Sequence, residues 1–171
     1  DAERKRIEVE VVRTAETVEA RYHGESRPSG VLGWILAPGG GELEHTDRFV
    51  LPGITQVEYK LGERSHLLVS AALTPIDDFT TRLFAVVSFR LPIPHMLVRL
   101  VLNPIARAIF EQDKLMLSAQ VETIERFGGE QFMSTEVDAL GPQILRLLRD
   151  AERGERKAPE NELIRRFSMD V

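Results

Sequence analysis

Asp113 is the residue whose setting in this sequence asks for chemistry. With successive residues turning roughly 100°, the segment from Pro104 to Arg126 places Arg107, Glu111, Lys114, Ser118, Glu122 and Glu125 on one side of a helix. Ile105, Ala108, Ile109, Leu115, Met116, Leu117, Ala119 and Ile124 spread over the other side. Asp113 falls inside the apolar arc, and Gln120 lies along the same stripe. A carboxylate on an inward face costs several kcal/mol of desolvation unless it is protonated, paired or bound to a metal. Two readings follow. Asp113 belongs to a buried ion pair or caps a neighbouring loop, or it is a metal ligand of the kind found in non-haem iron oxygenases, where two His and one carboxylate leave positions open for oxygen and substrate.

The histidines do not supply the missing pair. His23, His45, His66 and His95 are widely spaced and form no two-ligand motif, so each is expected to be structural or exposed. His66, within a strand, and His95, beside a Pro-rich helix entry, are the two with a route to a cavity. Other motifs fail. Pro38-Gly39-Gly40-Gly41-Glu42 lacks the Gly-Lys-Ser/Thr ending of a phosphate loop and reads as a turn. Asp77-Asp78 has no third acidic partner nearby and fits turn chemistry better than calcium binding. Ser70, Ser88 and Ser118 lack the setting of a hydrolase nucleophile.

Composition narrows the function classes. The 171 residues include no cysteine, which removes disulfides, thiolate nucleophiles and cysteine-bound clusters from this chain and makes a reducing cytoplasm the expected compartment. A net charge of -5 with both signs interspersed offers no basic surface for a nucleic-acid backbone. The most apolar stretch, Leu91 to Phe110, is interrupted by Pro92, Pro94, Arg99, Pro104 and Arg107, so no transmembrane span is expected. The charged opening Asp1-Ala2-Glu3-Arg4-Lys5-Arg6 is unlike a signal peptide, and the lack of an initiator Met suggests a piece of a longer protein.

The elements that must position Asp113 are legible from hydrophobic period. Ile7, Val9 and Val11, then Val18, Ala20 and Tyr22, alternate with polar residues as a hairpin does. Val31 to Ala37, around Trp34, predicts a further strand within a Gly- and Pro-rich loop. Phe49 to Lys60 alternates around Pro52-Gly53, and Ser65 to Leu73 and Thr81 to Arg90 read as central strands. A helical period runs from Pro94 to about Arg126, with a break or restart expected at Asn103-Pro104. A second helix, capped by Asp138, carries Leu140, Ile144, Leu147, Leu148 and Ala151 on one face and ends near Gly154. The expected fold is therefore α+β: a curved antiparallel sheet closed by a long C-terminal helix, with a second terminal helix. Residues 1–154 form the domain and residues 155–171 a C-terminal tail.

Phe110-Glu111-Gln112-Asp113-Lys114 followed by Gln120 resembles a motif of the C-terminal catalytic region of Rieske-type non-haem iron oxygenases, in their monooxygenase and demethylase branch. Leu67 to Arg90, with its Asp77-Asp78-Phe79-Thr80-Thr81-Arg82 turn, is similar to the family's paired strands, and Asp138 to Arg149 resembles its closing helix. The likeness spans about Leu67 to Arg153. It implies a START-like, helix-grip fold in which Asp113 is the carboxylate ligand of the catalytic iron. Substrate would lie against an inner sheet face that includes some of Leu67, Val69, Ala71, Ala85 and Val87.

What the resemblance implies for the intact protein is wider than this chain. The cofactors would be mononuclear non-haem Fe(II) and a Rieske [2Fe-2S] cluster. The partners would be an apolar or aromatic substrate, an upstream Rieske domain, an electron-donating reductase and further copies of the chain. The cluster ligands and the Asp-x-x-His-x-x-x-x-His segment carrying the two iron-binding histidines are both missing from these 171 residues. The chain is thus expected to be inactive alone, as the C-terminal part of a longer oxygenase. The alternative is a stand-alone START-like module that binds an apolar ligand without catalysis.

Overall fold

The computed structural model describes residues 6–25, 43–61, 65–92, 94–131, 133–135, 137–155 and 162–170. They form two compact units, one of residues 1–92 with 134–171 and one of residues 93–133. The strand expected at Val31 to Ala37 and the Pro38 to Glu42 turn lie outside the described residues.

The first unit is a curved, open, antiparallel sheet of seven strands in the order β6-β5-β4-β3-β2-β1-β7. The strands are β1 (Arg6–Arg13), β2 (Thr17–His23), β3 (Leu43–Val50), β4 (Ile54–Leu61), β5 (Ser65–Asp77), β6 (Thr80–Arg90) and β7 (Glu162–Asp170). The alternation read in the sequence is realised directly. Ile7, Val9, Val11, Val18 and Ala20 are buried, while Glu8, Glu19 and Arg21 point the other way. The C-terminal segment, expected only as a tail, supplies β7 and pairs with β1.

At the β1–β2 turn, the Thr14 Oγ1 accepts the Thr17 backbone N–H at 3.0 Å, which closes the hairpin locally. At the β5–β6 turn, the Asp77 carboxylate accepts the Phe79 N–H at 3.0 Å, the turn chemistry expected there. Gly53 is required by close approach: a Cβ there would stand 3.0 Å from the Leu73 carbonyl oxygen.

Helix α2 (Gly141–Glu152) lies on the buried face of β1 to β3, which we call the inner face. Its Leu147 is 2% exposed within a cluster of Ile7, Val9, Val11, Val18, Ala20 and Phe49, with Leu140, Ile144 and Leu148 packed against it. These apolar positions recur at helical spacing, so one stripe of α2 meets one face of the sheet. Asp138 Oδ1 accepts the N–H of Gly141, the first helical residue, at 3.1 Å from two positions ahead of Leu140, which occupies the N-cap without a side-chain cap bond. Arg13 is buried on the same face and pairs with Asp150 of α2.

The outer face is mostly polar across β1 to β4, while on β6 it exposes Phe84 and Val86. A ladder crosses it from Arg166 through Glu10, Arg21, Glu19, Arg48 and Gln56 to Ser70, with contacts including Arg166–Glu10 at 2.7 Å and Arg48–Glu19 at 2.6 Å. Burial would raise the Glu19 carboxyl, but Arg21 and Arg48 outweigh it and hold the group below its ordinary value.

The second unit is built on helix α1 (His95–Phe127). The break expected at Asn103-Pro104 does not occur, and Pro104 sits inside a continuous helix. Proline there removes one donor, and the hydrogen-bonded turns on both sides of it carry the helix through. Gly128, at φ 76°, ends α1 in a left-handed cap whose N–H reaches the Ile124 carbonyl.

Candidate functional site

Asp113 lies midway along α1 and is exposed. Among the described residues it has no ion pair and no hydrogen bond. The reading of Asp113 as one half of a buried ion pair therefore finds no partner here. The carboxylate is free to accept an external cation. Gln120, on the same stripe, borders an open hollow of about 510 Å³ with Met116, Ala119, Thr123, Ile124 and Phe127, which Asp113 does not line. Among the described residues no group of three His, Cys, Asp or Glu side chains could hold a metal ion.

The inner face of the sheet carries a second, unexpected constellation. Antiparallel pairing sets Val9, Tyr22, His45, Tyr59, Leu67 and Phe89 in one row across six strands. The adjacent row is Val11, Ala20, Asp47, Val57, Val69 and Val87. The register places Leu67, Val69, Ala71, Ala85 and Val87 together on this face, so all five residues named from the sequence share one wall.

His45 stacks between Tyr22, with ring centroids 4.6 Å apart, and Tyr59, at 4.3 Å. Its Nδ1 is 2.8 Å from a Glu25 carboxylate oxygen and its Nε2 is 3.1 Å from Asp47 Oδ1. Burial alone would lower the imidazole pKa, but the hydrogen bonds and charges of Asp47 and Glu25 outweigh it and hold the ring above its ordinary value. With a carboxylate at each nitrogen, the ring is favoured as an imidazolium donating to both. Burial, then the Asp47 carboxylate, pushes the Tyr22 phenol far up, and burial, then the charges of Glu25 and Asp47, pushes the Tyr59 phenol up to about 12. Both phenols stay protonated at neutral pH.

The sequence reading placed no function on His45. No local spacing could have found it, because its partners come from three strands and a loop. His66, expected to be structural or exposed, lies on the outer face and meets Glu58 at 2.7 Å, so its route to an inner cavity is not taken. His95 is exposed at the start of α1, and His23 is exposed at the end of β2.

A hollow of about 410 Å³ lies at the other end of the inner face, between the β1–β2 turn and α2. Arg13 and Asp150 line it and pair with one another, and Glu16 and Glu155 border it. It contains none of the residues expected to do chemistry.

Residues 1–153 match the family model of the vanillate O-demethylase oxygenase C-terminal domain. The chain belongs to that family. Both Asp113 and the His45 row lie within the matched span of this Rieske-type oxygenase domain of the demethylase branch. The family implies iron and Rieske cofactors in the parent protein and agrees with the resemblance carried by the Asp113 motif. No curated protein and no solved structure is significantly similar to the chain. No helix among the described residues is long and apolar enough to cross a membrane.

Proposed function

We propose that this domain is the START-like, substrate-binding part of a Rieske non-haem iron oxygenase that hydroxylates or demethylates an aromatic or other apolar substrate with O₂. The observation that carries the reading is Asp113: an unpaired carboxylate on α1, inside the matched domain and within the Phe110-Glu111-Gln112-Asp113-Lys114 motif. Its role is to supply the carboxylate ligand to ferrous iron. When bound, the iron supplies the activation of dioxygen. Because the 171 residues hold no cysteine, the Rieske cluster must be held by residues outside them, and the two iron-binding histidines are assigned to the same upstream region. Electrons then come from a separate reductase. The domain works in a homo-oligomer in the cytoplasm, a compartment that the absence of cysteine suits.

The chain's own contribution to the reaction is a binding wall. Val57, Leu67, Val69 and Ala71 present buried or half-buried apolar side chains on the inner face, where an apolar substrate sheds water. Tyr22, His45 and Tyr59 interrupt that wall with polar groups that orient the substrate.

The test is Asp113→Ala in the polypeptide that includes the upstream Rieske region. Mononuclear iron should fall at least about tenfold, since one of three protein ligands is gone, while the cluster's visible spectrum and the fold persist. Full iron occupancy in that variant would remove the ligand assignment. Intact apolar-ligand binding without turnover, in the wild-type polypeptide supplied with reductase and iron, would favour a binding module over an oxygenase.

A further inference from the structure

The β5–β6 hairpin runs on past the strand that supports it. Pairing between β4 and β5 ends with Ile54 opposite Ala72, whereas β5 continues to Asp77 and the chain returns through Thr80. At about 3.3 Å per residue, the stretch from Leu73 to Asp77 carries the hairpin about 16 Å beyond its neighbour. Among the described residues its last backbone tie to the rest of the sheet is the Leu73 N–H donating to the Gly53 carbonyl at 2.8 Å. A two-stranded ribbon is marginal by itself in water, and this arm exposes its apolar residues. Ile76 is 53% and Phe79 49% exposed, with Asp77 and Asp78 between them. Asp77 serves the turn, while Asp78 has no partner among the described residues. Arg82, at the base of the arm, is its single cation.

Helix α2 turns a surface of the opposite charge to solvent. Arg146, Arg149 and Arg153 fall within about 60° of one another on the helix wheel, away from the stripe of Ile144, Leu147 and Leu148 that meets the sheet. All three are exposed, and their side chains make no ion pair or hydrogen bond among the described residues. With Pro142 and Leu145 they line an open hollow of about 500 Å³. Asp150, at the same hollow, is committed to Arg13, and Glu152 falls outside the arc. The helix dipole favours cations in a last turn, which accounts for Arg149 and Arg153 but not for Arg146 one turn earlier. Unopposed arginines beside an exposed Leu and Pro suit a segment that carries both carboxylates and an aromatic ring.

We infer that the arm of one copy docks in the α2 hollow of a second copy, with Phe79 against Leu145 and Pro142 and the acidic tip among the arginines. Within one chain the two surfaces are unpaired, since the arm leaves from β5 and β6 whereas α2 lies over β1 to β3. Arm and hollow are different surfaces, so the contact is heterologous. Each copy gives an arm to one neighbour and receives one from another, an arrangement that closes into a ring where the rotation allows. The inference supplies an interface for the homo-oligomer of the proposed function and rests on that part of it.

Sedimentation of the full chain and of two charge variants tests it. The wild type should self-associate across the micromolar range, at least about tenfold more weakly in high salt than in low. One variant combines Asp77→Asn, which keeps an acceptor for the Phe79 N–H, with Asp78→Lys; the other combines Arg146→Glu with Arg149→Glu. Each alone should associate at least about tenfold more weakly than the wild type. An equimolar mixture should recover association, because the intact arm of the second meets the intact hollow of the first, a result that misfolding could not produce. Phe79→Ala, which leaves every charge in place, should weaken association at every salt concentration. An assembly indifferent to salt and to both charge variants, or a mixture no stronger than its components, would overturn the inference and leave the homo-oligomer standing. A wild-type chain that stays monomeric throughout would overturn both.

Discussion

Leu147→Ala is the perturbation whose effect follows most directly from the packing. Leu147 is 2% exposed and sits over Val9, Val11, Val18, Ala20 and Phe49, so truncation removes three carbon atoms from a fully enclosed position. At about 0.8 kcal/mol for each buried methylene-sized group, the lost transfer energy is about 2.4 kcal/mol. The floor under Leu147 is a hydrogen-bonded sheet, which cannot rise to fill the space, so a cavity contribution brings the total to about 3–4 kcal/mol. Leu145, two positions earlier on the same helix, is 49% exposed, and Leu145→Ala should cost less than about 1 kcal/mol. The helix-propensity change is the same for both and small. Urea unfolding of the two variants, with the slope unchanged, reads the difference directly. A loss below about 1.5 kcal/mol for Leu147→Ala, or equal losses at the two sites, would refute the view that α2 is held to the sheet by this stripe.

Asp113→Ala in the isolated chain should change stability by no more than about 0.5 kcal/mol, because the carboxylate is exposed and has no partner among the described residues. A loss above about 2 kcal/mol in denaturant would reveal a protein partner and displace the metal-ligand reading. Stability should also depend on pH through His45. Its folded pKa is raised by Asp47 and Glu25 despite burial, so the stabilisation is fully present below the ordinary value of 6.5 and is lost as pH rises through the folded value. A melt series from acid to mildly alkaline pH should show this decline in the wild type and not in His45→Gln, and parallel profiles would exclude the histidine as its source.

The α+β class, the β1–β2 hairpin, both long strands of the β5–β6 pair and the extent of both helices were legible in the sequence, because each depends on the period of neighbouring residues. Ile7, Val9 and Val11 alternate whatever lies beside them, and Leu140, Ile144, Leu147 and Leu148 form a stripe on any helix. The Asp113 motif was legible for a similar reason, its residues being close in the chain. Pro104 was misread because a local rule against proline in helices yields to the many intact turns on either side. The His45 site could not be read at all. Tyr22, His45 and Tyr59 belong to three different strands and become neighbours only when the cross-strand register is set, and a shift by one residue in any pair would turn one of them to the opposite face. The same register sends every lysine and arginine of β2 to β6 outward and leaves Asp47 inward. The sequence by itself determined which residues alternate, and the tertiary pairing of strands decided which of them face a ligand together, because the sign of the charge on a sheet face is a sum over partners distant in the chain.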